Sequence, residues 1–343
     1  MQILIIGGTG TISEAVTKNL LAKEGNVLYL LNRGNRKMGE VFPSCPNLHW
    51  IEGDIHNEDK IAEAVKYLEF DVVIEFVAFR KEDAERDFRL FRGKTKQYLF
   101  LSSASVYDKS SSFPIREDTA QDNPYWAYSR EKQNAEKYLL ERFRLDHFPV
   151  TIVRPSHTYD EKKIPVAIHG QEGSYSVVER IQEEKPVLLP GDGSTLWTLT
   201  YSADFAAYFS FLVGNPEAVG ETYQIMSDER LTWLEIYTTI ARTLRVKLHP
   251  YFVSSYYLAE VGKKRGYDFE GTLLGDKKDN GVFDTTKIKN LAKEPLPFVL
   301  FSEGVRRCLN YIASHKECQT PDPDFDFFTE RVILALEDSK KHI

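Results

Sequence analysis

Cysteine is scarce in this sequence: three in 343 residues, at Cys45, Cys308 and Cys318, an odd number with no Cys-x-x-Cys pair. That usage supports neither a disulfide framework nor a cysteine zinc site, and it points to a reducing, cytoplasmic setting. The histidines His49, His56, His147, His169, His249, His315 and His342 are scattered at no ligand spacing, so no metal is expected. Long apolar runs are missing too. VLYLL and VVIEFVAF fall far short of the roughly 18 residues that cross a membrane, and no membrane partner is expected. The apolar run from Ile3 breaks on Gly7 with no charged leader before it, so no signal peptide is expected. Positive charge is not in excess either: 44 basic against 51 acidic side chains leave −7. A phosphate-backbone binder needs a basic face, which makes nucleic acid a poor candidate partner.

What is present is globular composition, 42% hydrophobic and 28% charged, which excludes collagen-like and disordered chains. Short apolar runs at Ile3–Ile6, Val27–Leu31, Leu48–Ile51, Val72–Phe76, Tyr98–Leu101 and Val150–Val153 read as strands buried on both faces. Between them, apolar residues at three- and four-residue spacing predict helices over Thr11–Lys23, Glu58–Leu68, Lys81–Arg92 and Trp126–Phe143. Strand and helix in alternation give right-handed crossovers and an α/β fold over residues 1–155, with a doubly wound parallel sheet that later segments complete. Residues 156–343 read mainly as a smaller C-terminal substrate-binding region. There the stretches around EKKIPVAIHGQEGS, PVLLPGDGST and EGTLLGDKKDNG look loop-rich, with helices near Tyr175–Glu184, Ala203–Val213 and Trp233–Thr243.

The first strand runs straight into Gly7-Gly8-Thr9-Gly10-Thr11-Ile12-Ser13 and a helix. Gly7 permits the tight turn, Gly10 lets backbone approach a pyrophosphate, and Ser13 is small enough for helix to pack on strand; Gly7, Gly10, Thr11 and Ile12 are the candidate phosphate contacts at a helix N-terminus. A site that reads NAD usually offers a carboxylate at the end of the second strand. Here Asn32 stands there, followed by Arg33-Gly34-Asn35-Arg36-Lys37. Missing repulsion and a guanidinium fork favour NADP(H) over NAD, although cations that only solvate the loop give the same sequence. Asp54, with Ile55 beside it, either faces the adenine ring or caps a turn.

The fifth strand leads into Ser102-Ser103-Ala104-Ser105-Val106-Tyr107, and Tyr128-Ser129-Arg130-Glu131-Lys132 follows inside a helix. Tyr128 and Lys132, four apart, share one helical face. Bringing a phenol of pKa near 10 to neutrality requires about 4 kcal/mol of differential stabilisation, which a neighbouring ammonium and a positive nicotinamide ring together would provide. Ser103 would then hydrogen-bond the substrate oxygen.

With Arg154-Pro155-Ser156 and the later GDGS, these elements resemble the extended short-chain dehydrogenase/reductases, specifically the NAD-dependent epimerase/dehydratase family, over essentially the whole chain. The resemblance implies an NAD(P)-binding Rossmann domain over residues 1–155, with Tyr128 as general base or acid, Lys132 as grip on the nicotinamide ribose and Ser103 as support for the reacting oxygen. It implies Phe76, Val77 and Ala78 near the cofactor ribose, Pro155 and Ser156 beside the nicotinamide, and a homodimer through the helices near Lys81–Arg92 and Trp126–Phe143. Ala104-Ser105 replace the Asp-Glu of 4,6-dehydratases, which disfavours dehydration. Trp197 stands where sugar-nucleotide enzymes carry a diphosphate-clamping arginine, so an aromatic face there would stack on substrate instead. His157 falls where relatives touch substrate; it either donates to a substrate hydroxyl or is satisfied by loop backbone. Glu75, inside an apolar strand, lies either in the site or against a partner. The expected function is Tyr-base hydride transfer, as oxidoreductase or epimerase, on a sugar-like or polyhydroxylated small molecule. The alternatives are an RNA-binding protein on the same fold, as in the chloroplast stem-loop binding branch, and a non-catalytic cofactor-sensing regulator.

Overall fold

Alternation along β1 (Gln2–Ile6) explains why the sheet is covered on both sides. Ile3 and Ile5 point into one apolar layer and Leu4 and Ile6 into the other, all fully buried. The structure is a computed structural model and describes residues 1–34, 41–42, 45–293 and 295–341. Asn35, Arg36, Lys37 and His342 lie outside the described residues.

The other sheet strands are β2 (Val27–Asn32), β3 (Leu48–Glu52), β4 (Val72–Glu75), β5 (Tyr98–Leu101) and β6 (Val150–Pro155). Four short strands follow: β7 (His157–Tyr159), β8 (Val187–Pro190), β9 (Leu196–Trp197) and β10 (Leu199–Tyr201). After them come β11 (Thr222–Ile225), β12 (Leu231–Thr232) and β13 (Pro250–Val253). The main sheet has the order β11-β6-β5-β4-β1-β2-β3, every pair parallel. This is the doubly wound Rossmann arrangement, and β11 supplies its last strand from far along the chain. Strand order reverses between β1 and β4, whose paired ends Ile6 and Glu75 open the crevice where such sheets bind ligands.

The helices are α1 (Thr11–Leu21), α2 (Glu58–Ala64), α3 (Lys81–Phe91), α4 (Ala127–Asp146), α5 (Tyr175–Gln182) and α6 (Ser202–Phe209). Then come α7 (Trp233–Leu244), α8 (Ser255–Lys263), α9 (Thr286–Ala292), α10 (Phe301–Ser314) and α11 (Pro323–Lys340). Val16 and Leu20 of α1 join Phe205 and Phe209 of α6 on one face of the sheet. Ile61, Ala84, Phe88, Ala135 and Leu139 of α2, α3 and α4 cover the other. A third core, built around Leu189, Trp197, Trp233, Val305 and Phe328, belongs to the later region.

Two differences from the sequence reading matter for the site. The segment read as a loop from its glycines is a π-helix over Glu270–Lys277. Helices α8 to α11 were not expected, although α11 carries a readable start: the Asp322 carboxylate accepts from the N–H of Phe325 (2.9 Å), with Pro323 in the first turn.

Candidate active site

Gly7 has φ +80°, and a Cβ there would meet Val77 Cγ1 at 2.2 Å, so any side chain would close the approach between the loops after β1 and β4. Ser13 stitches the glycine loop. Its hydroxyl donates to the Gly7 carbonyl (2.6 Å) and accepts from the N–H of Gly10 (2.8 Å). The loop floors a cleft of about 680 Å³. Gly7, Gly10, Thr11 and Ile12 line one side, Asn32 and Arg33 with Asp54 and Ile55 the next, and Phe76 and Val77 the third. Asn32 Nδ2 is buried with no acceptor among the described residues, a donor suited to a ribose hydroxyl or phosphate oxygen. The cleft therefore fits a dinucleotide. Asp54 stands on the wall of this cleft and caps a turn, accepting from the N–H (3.0 Å) and Nδ1 (2.8 Å) of His56, which hold its carboxyl below the usual range. A carboxylate the sequence reading passed over, Glu52, lies against Gly34, 3.0 Å from where its Cβ would be.

Ala78, Pro155 and Ser156 do not line this cleft. Ala78 turns inward: its N–H donates to Glu75 Oε1 (2.8 Å), and its carbonyl accepts from Lys132 Nζ (2.7 Å). Lys132 is 2% exposed and donates also to the Leu101 carbonyl (2.7 Å). Its ammonium lies 4.7 Å from the Phe79 ring centre and 6.0 Å from that of Tyr128. Desolvation pushes Lys132 down to about 8, against the pull of Glu75, Glu136 and Asp83. Tyr128 is raised rather than lowered: burial dominates, the Ser103 hydroxyl opposes it, and Asp276 adds to it. Lys132 is not among the groups that shift Tyr128 here, and two backbone carbonyls accept from its ammonium.

Ser103 opens a short hydroxyl chain. Its Oγ lies 2.9 Å from Ser105 Oγ, which accepts from Ser129 Oγ at 2.7 Å. Asn123 ties the neighbourhood together: Nδ2 donates to the carbonyls of Ser105 (2.8 Å) and Gly275 (2.6 Å), and Oδ1 accepts from the N–H of Trp126 (3.0 Å). At Gly271 and Gly275 of the π-helix, a Cβ would meet Trp126 atoms at 2.2 and 2.9 Å. These close approaches dock the π-helix on the start of α4 and bring Asp276 within electrostatic reach of Tyr128. Asp276 also pairs with the buried Lys109. Sequence reading missed Lys109, Asn123, Asp276 and Lys277; two glycines four apart on either side of Leu273-Leu274 were the available signal.

Trp197 is not a substrate platform. It is 1% exposed, stacked on Trp233 (ring centres 5.3 Å) with Lys109 Nζ 4.3 Å from its own ring centre. Its Nε1–H donates to His157 Nδ1 at 3.3 Å. Indole nitrogen only donates, so the His157 proton sits on Nε2, free to donate in turn. Desolvation, with the charges of Lys277, His169 and Lys109, pushes His157 down to about 3, so the ring is neutral.

A model of the NAD dependent epimerase/dehydratase family matches residues 3–225. A chloroplast stem-loop binding protein of 41 kDa from Arabidopsis thaliana is 27% identical over 242 residues, 68% of this chain and 60% of that protein. An uncharacterized UDP-glucose epimerase of Bacillus subtilis is 26% identical over 218 residues, 63% of this chain and 60% of that protein. The chain thus matches about three fifths of the length of these curated relatives. Among solved structures, UDP-glucuronic acid 4-epimerase from Bacillus cereus, in complex with UDP-glucuronic acid and NAD, superposes with a TM-score of 0.72 at 18% identity, covering 92% of this chain and 99% of that one. The epimerase Mth375 of Methanothermobacter thermautotrophicus gives 0.72 at 18%, covering 92% and 93%. At these identities the likeness establishes the fold. Among the described residues no helix is long and apolar enough to cross a membrane.

Proposed function

The chain belongs to the NAD dependent epimerase/dehydratase family, and from that premise we propose that it is an NAD(P)-dependent oxidoreductase or epimerase acting on a carbinol or carbonyl carbon of a sugar-like, polyhydroxylated small molecule. One observation carries this reading: Lys132, one turn from Tyr128, is bound to Leu101 and packed on Phe79, and both of those residues also wall the dinucleotide cleft. The reacting hydroxyls and the cofactor seat are therefore adjacent. A bound nicotinamide would supply the hydride acceptor or donor and, when oxidised, a positive charge facing the phenol.

The chain's own groups handle the proton. Tyr128 Oη takes the carbinol proton on oxidation and returns it on reduction. Ser103 Oγ, oriented by Ser105 and Ser129, donates to the reacting oxygen. Lys132, fixed by its two carbonyls, offers its remaining N–H to the cofactor ribose. Ala104 and Ser105, both buried, offer no carboxylic acid for eliminating water, which favours epimerisation or reduction over dehydration. Asn32 and Arg33 favour NADP(H), and Glu52 beside Gly34 is the group that would oppose it.

Tyr128→Phe is expected to lower turnover about 10²–10⁴-fold while NADPH affinity holds; sugar and keto-compound libraries screened for NADPH oxidation provide the assay. A fully active Tyr128→Phe enzyme would refute the assignment. Fluorescence titration should show tighter binding of NADPH than NADH, and the reverse order removes the NADP(H) preference. The Arabidopsis relative, a stem-loop binding protein by name, supports nucleic-acid binding as a second reading. The net charge of −7 counts against it, and a mobility shift of stem-loop RNA at low salt decides between the two.

A further inference from the structure

Two acids meet in the core beside Lys132, and one guanidinium serves both. Glu75 at the end of β4 and Asp87 on α3 are fully buried. Arg86 Nε donates to Asp87 Oδ1 (2.8 Å) with Nη2 also 2.8 Å from that oxygen, whereas Nη2 stays 3.9 Å from Glu75 Oε2. The same guanidinium is shared with a third carboxylate, Asp83, 3.1 Å from Nη1. Tyr98 of β5 donates to the other Asp87 oxygen, Oδ2, at 2.7 Å. Asp87 thus has a guanidinium on one oxygen and a phenol on the other. Glu75 Oε1 accepts from the N–H groups of Val77 and Ala78, but Oε2 is buried and receives no donor among the described residues.

Ionised together, the two carboxylates would leave an uncompensated negative charge out of reach of water. One proton on the pair removes it. The distribution of donors puts that proton on Glu75 Oε2, with Asp87 in hydrogen-bonding reach to accept it. Other charged groups facing the cluster are engaged: Glu58 with Arg89, Glu136 with Arg154, and His56 at 3.5 Å from Asp83. Lys132 remains. Its ammonium donates to the Ala78 carbonyl, while the N–H of Ala78 rests on Glu75 Oε1, and the Lys132 charge responds to Glu75. An ionised Glu75 would be a buried counter-ion that draws this ammonium away from the Leu101 carbonyl on the cleft wall; a neutral Glu75 does not compete.

We propose that Asp87 is a positioning residue: its charge, fixed by Arg86 and Tyr98, keeps a proton on Glu75 and so leaves Lys132 facing the cofactor seat instead of paired with a buried carboxylate. The proposal rests on reading Lys132 as the group that holds the cofactor ribose. Neither acid lines the dinucleotide cleft, so Asp87 acts through Glu75 and Lys132.

The test uses the full chain and needs no substrate. The infrared difference between wild type and Glu75→Gln at neutral pH should contain the carbonyl stretch of a protonated carboxyl group. The corresponding difference between Asp87→Asn and the double variant should lack it. NADPH affinity, read by fluorescence titration, should fall about tenfold or more in Asp87→Asn, and adding Glu75→Gln should restore it to within about threefold of the wild type. A merely structural role for Asp87 gives no such rescue. Should Asp87→Asn melt at markedly lower temperature, Tyr98→Phe takes a donor from Asp87 with little change of shape; it should lower NADPH affinity in the same direction, and Glu75→Gln should again reverse the loss. No carboxyl band in the wild type, a band of full strength in Asp87→Asn, or an affinity loss that Glu75→Gln fails to reverse overturns the proposal. A wild type that binds neither NADPH nor NADH overturns it together with the cofactor reading, whereas a fully active Tyr128→Phe enzyme overturns the catalytic reading alone.

Discussion

Glu75 holds an acid in the core. It is fully buried, and its Oε1 accepts from the N–H groups of Val77 and Ala78 while Arg86 Nη2 lies 3.9 Å from Oε2. Burial and the Asp87 carboxylate push its pKa well above the ordinary value of 4.5, which favours the neutral form. The carboxyl thereby fixes the loop whose Ala78 carbonyl receives Lys132. The folded chain keeps this proton where the unfolded chain releases it, so the associated stability is complete below pH 4.5 and fades as pH rises toward the folded pKa. Glu75→Gln keeps the acceptor and cannot ionise. Urea midpoints measured from pH 5 to 8 should therefore fall less steeply with pH in the variant; parallel pH profiles would show that Glu75 is ionised in the folded chain.

At the scale of elements, the bearing of α4 against the sheet decides where Tyr128 points. Arg154 of β6 makes a two-pronged bond to Glu136 of α4, Nε to Oε1 at 2.9 Å and Nη2 to Oε2 at 2.6 Å, both residues nearly fully buried. Arg154 Nη1 also donates to the Glu117 carbonyl (3.0 Å), and its guanidinium lies 4.7 Å from the Tyr107 ring centre. Removing one partner leaves a buried charge uncompensated, so Arg154→Met should cost about 3–5 kcal/mol in urea unfolding, and adding Glu136→Leu should recover part of it. A loss under about 1 kcal/mol would mean that the pair does not anchor the helix. Asn123 performs the corresponding task for the π-helix. Asn123→Ala should lower kcat more than it weakens cofactor binding, because the Gly275 carbonyl and the N–H of Trp126 lose their common partner.

For the whole molecule, the family resemblance implies pairing of two copies through α3 and α4. The two helices pack on each other, with Ala84 and Phe88 of α3 and Ala135 and Leu139 of α4 in one core, and Leu145 near the end of α4 is 65% exposed. Sedimentation velocity at micromolar concentration should give a dimer; a monomer would remove that expectation.

The sheet and the glycine loop were legible because their causes are local. Short, β-branched apolar runs between turn signals fit strands covered on both faces, and a glycine turn between strand and helix has few uses. The four-residue spacing of Tyr128 and Lys132 was equally readable, since it is helix geometry. Burial and long-range partners were not. Trp197 carries no sign in its own neighbourhood that Trp233 will stack on it. The union of Lys109 with Asp276, 167 residues apart, is made only when the π-helix docks on α4 through Gly271 and Gly275. The electrostatics of Tyr128 turned on the same tertiary facts, because a pKa responds to which groups surround the phenol and how much water remains, and backbone carbonyls that no sequence spacing reveals had already claimed Lys132. Sequence alone therefore settled the first six strands and the glycine turn after β1, which follow from short-range sterics and periodic burial; the surroundings of Tyr128 were decided by contacts that exist only once distant segments meet.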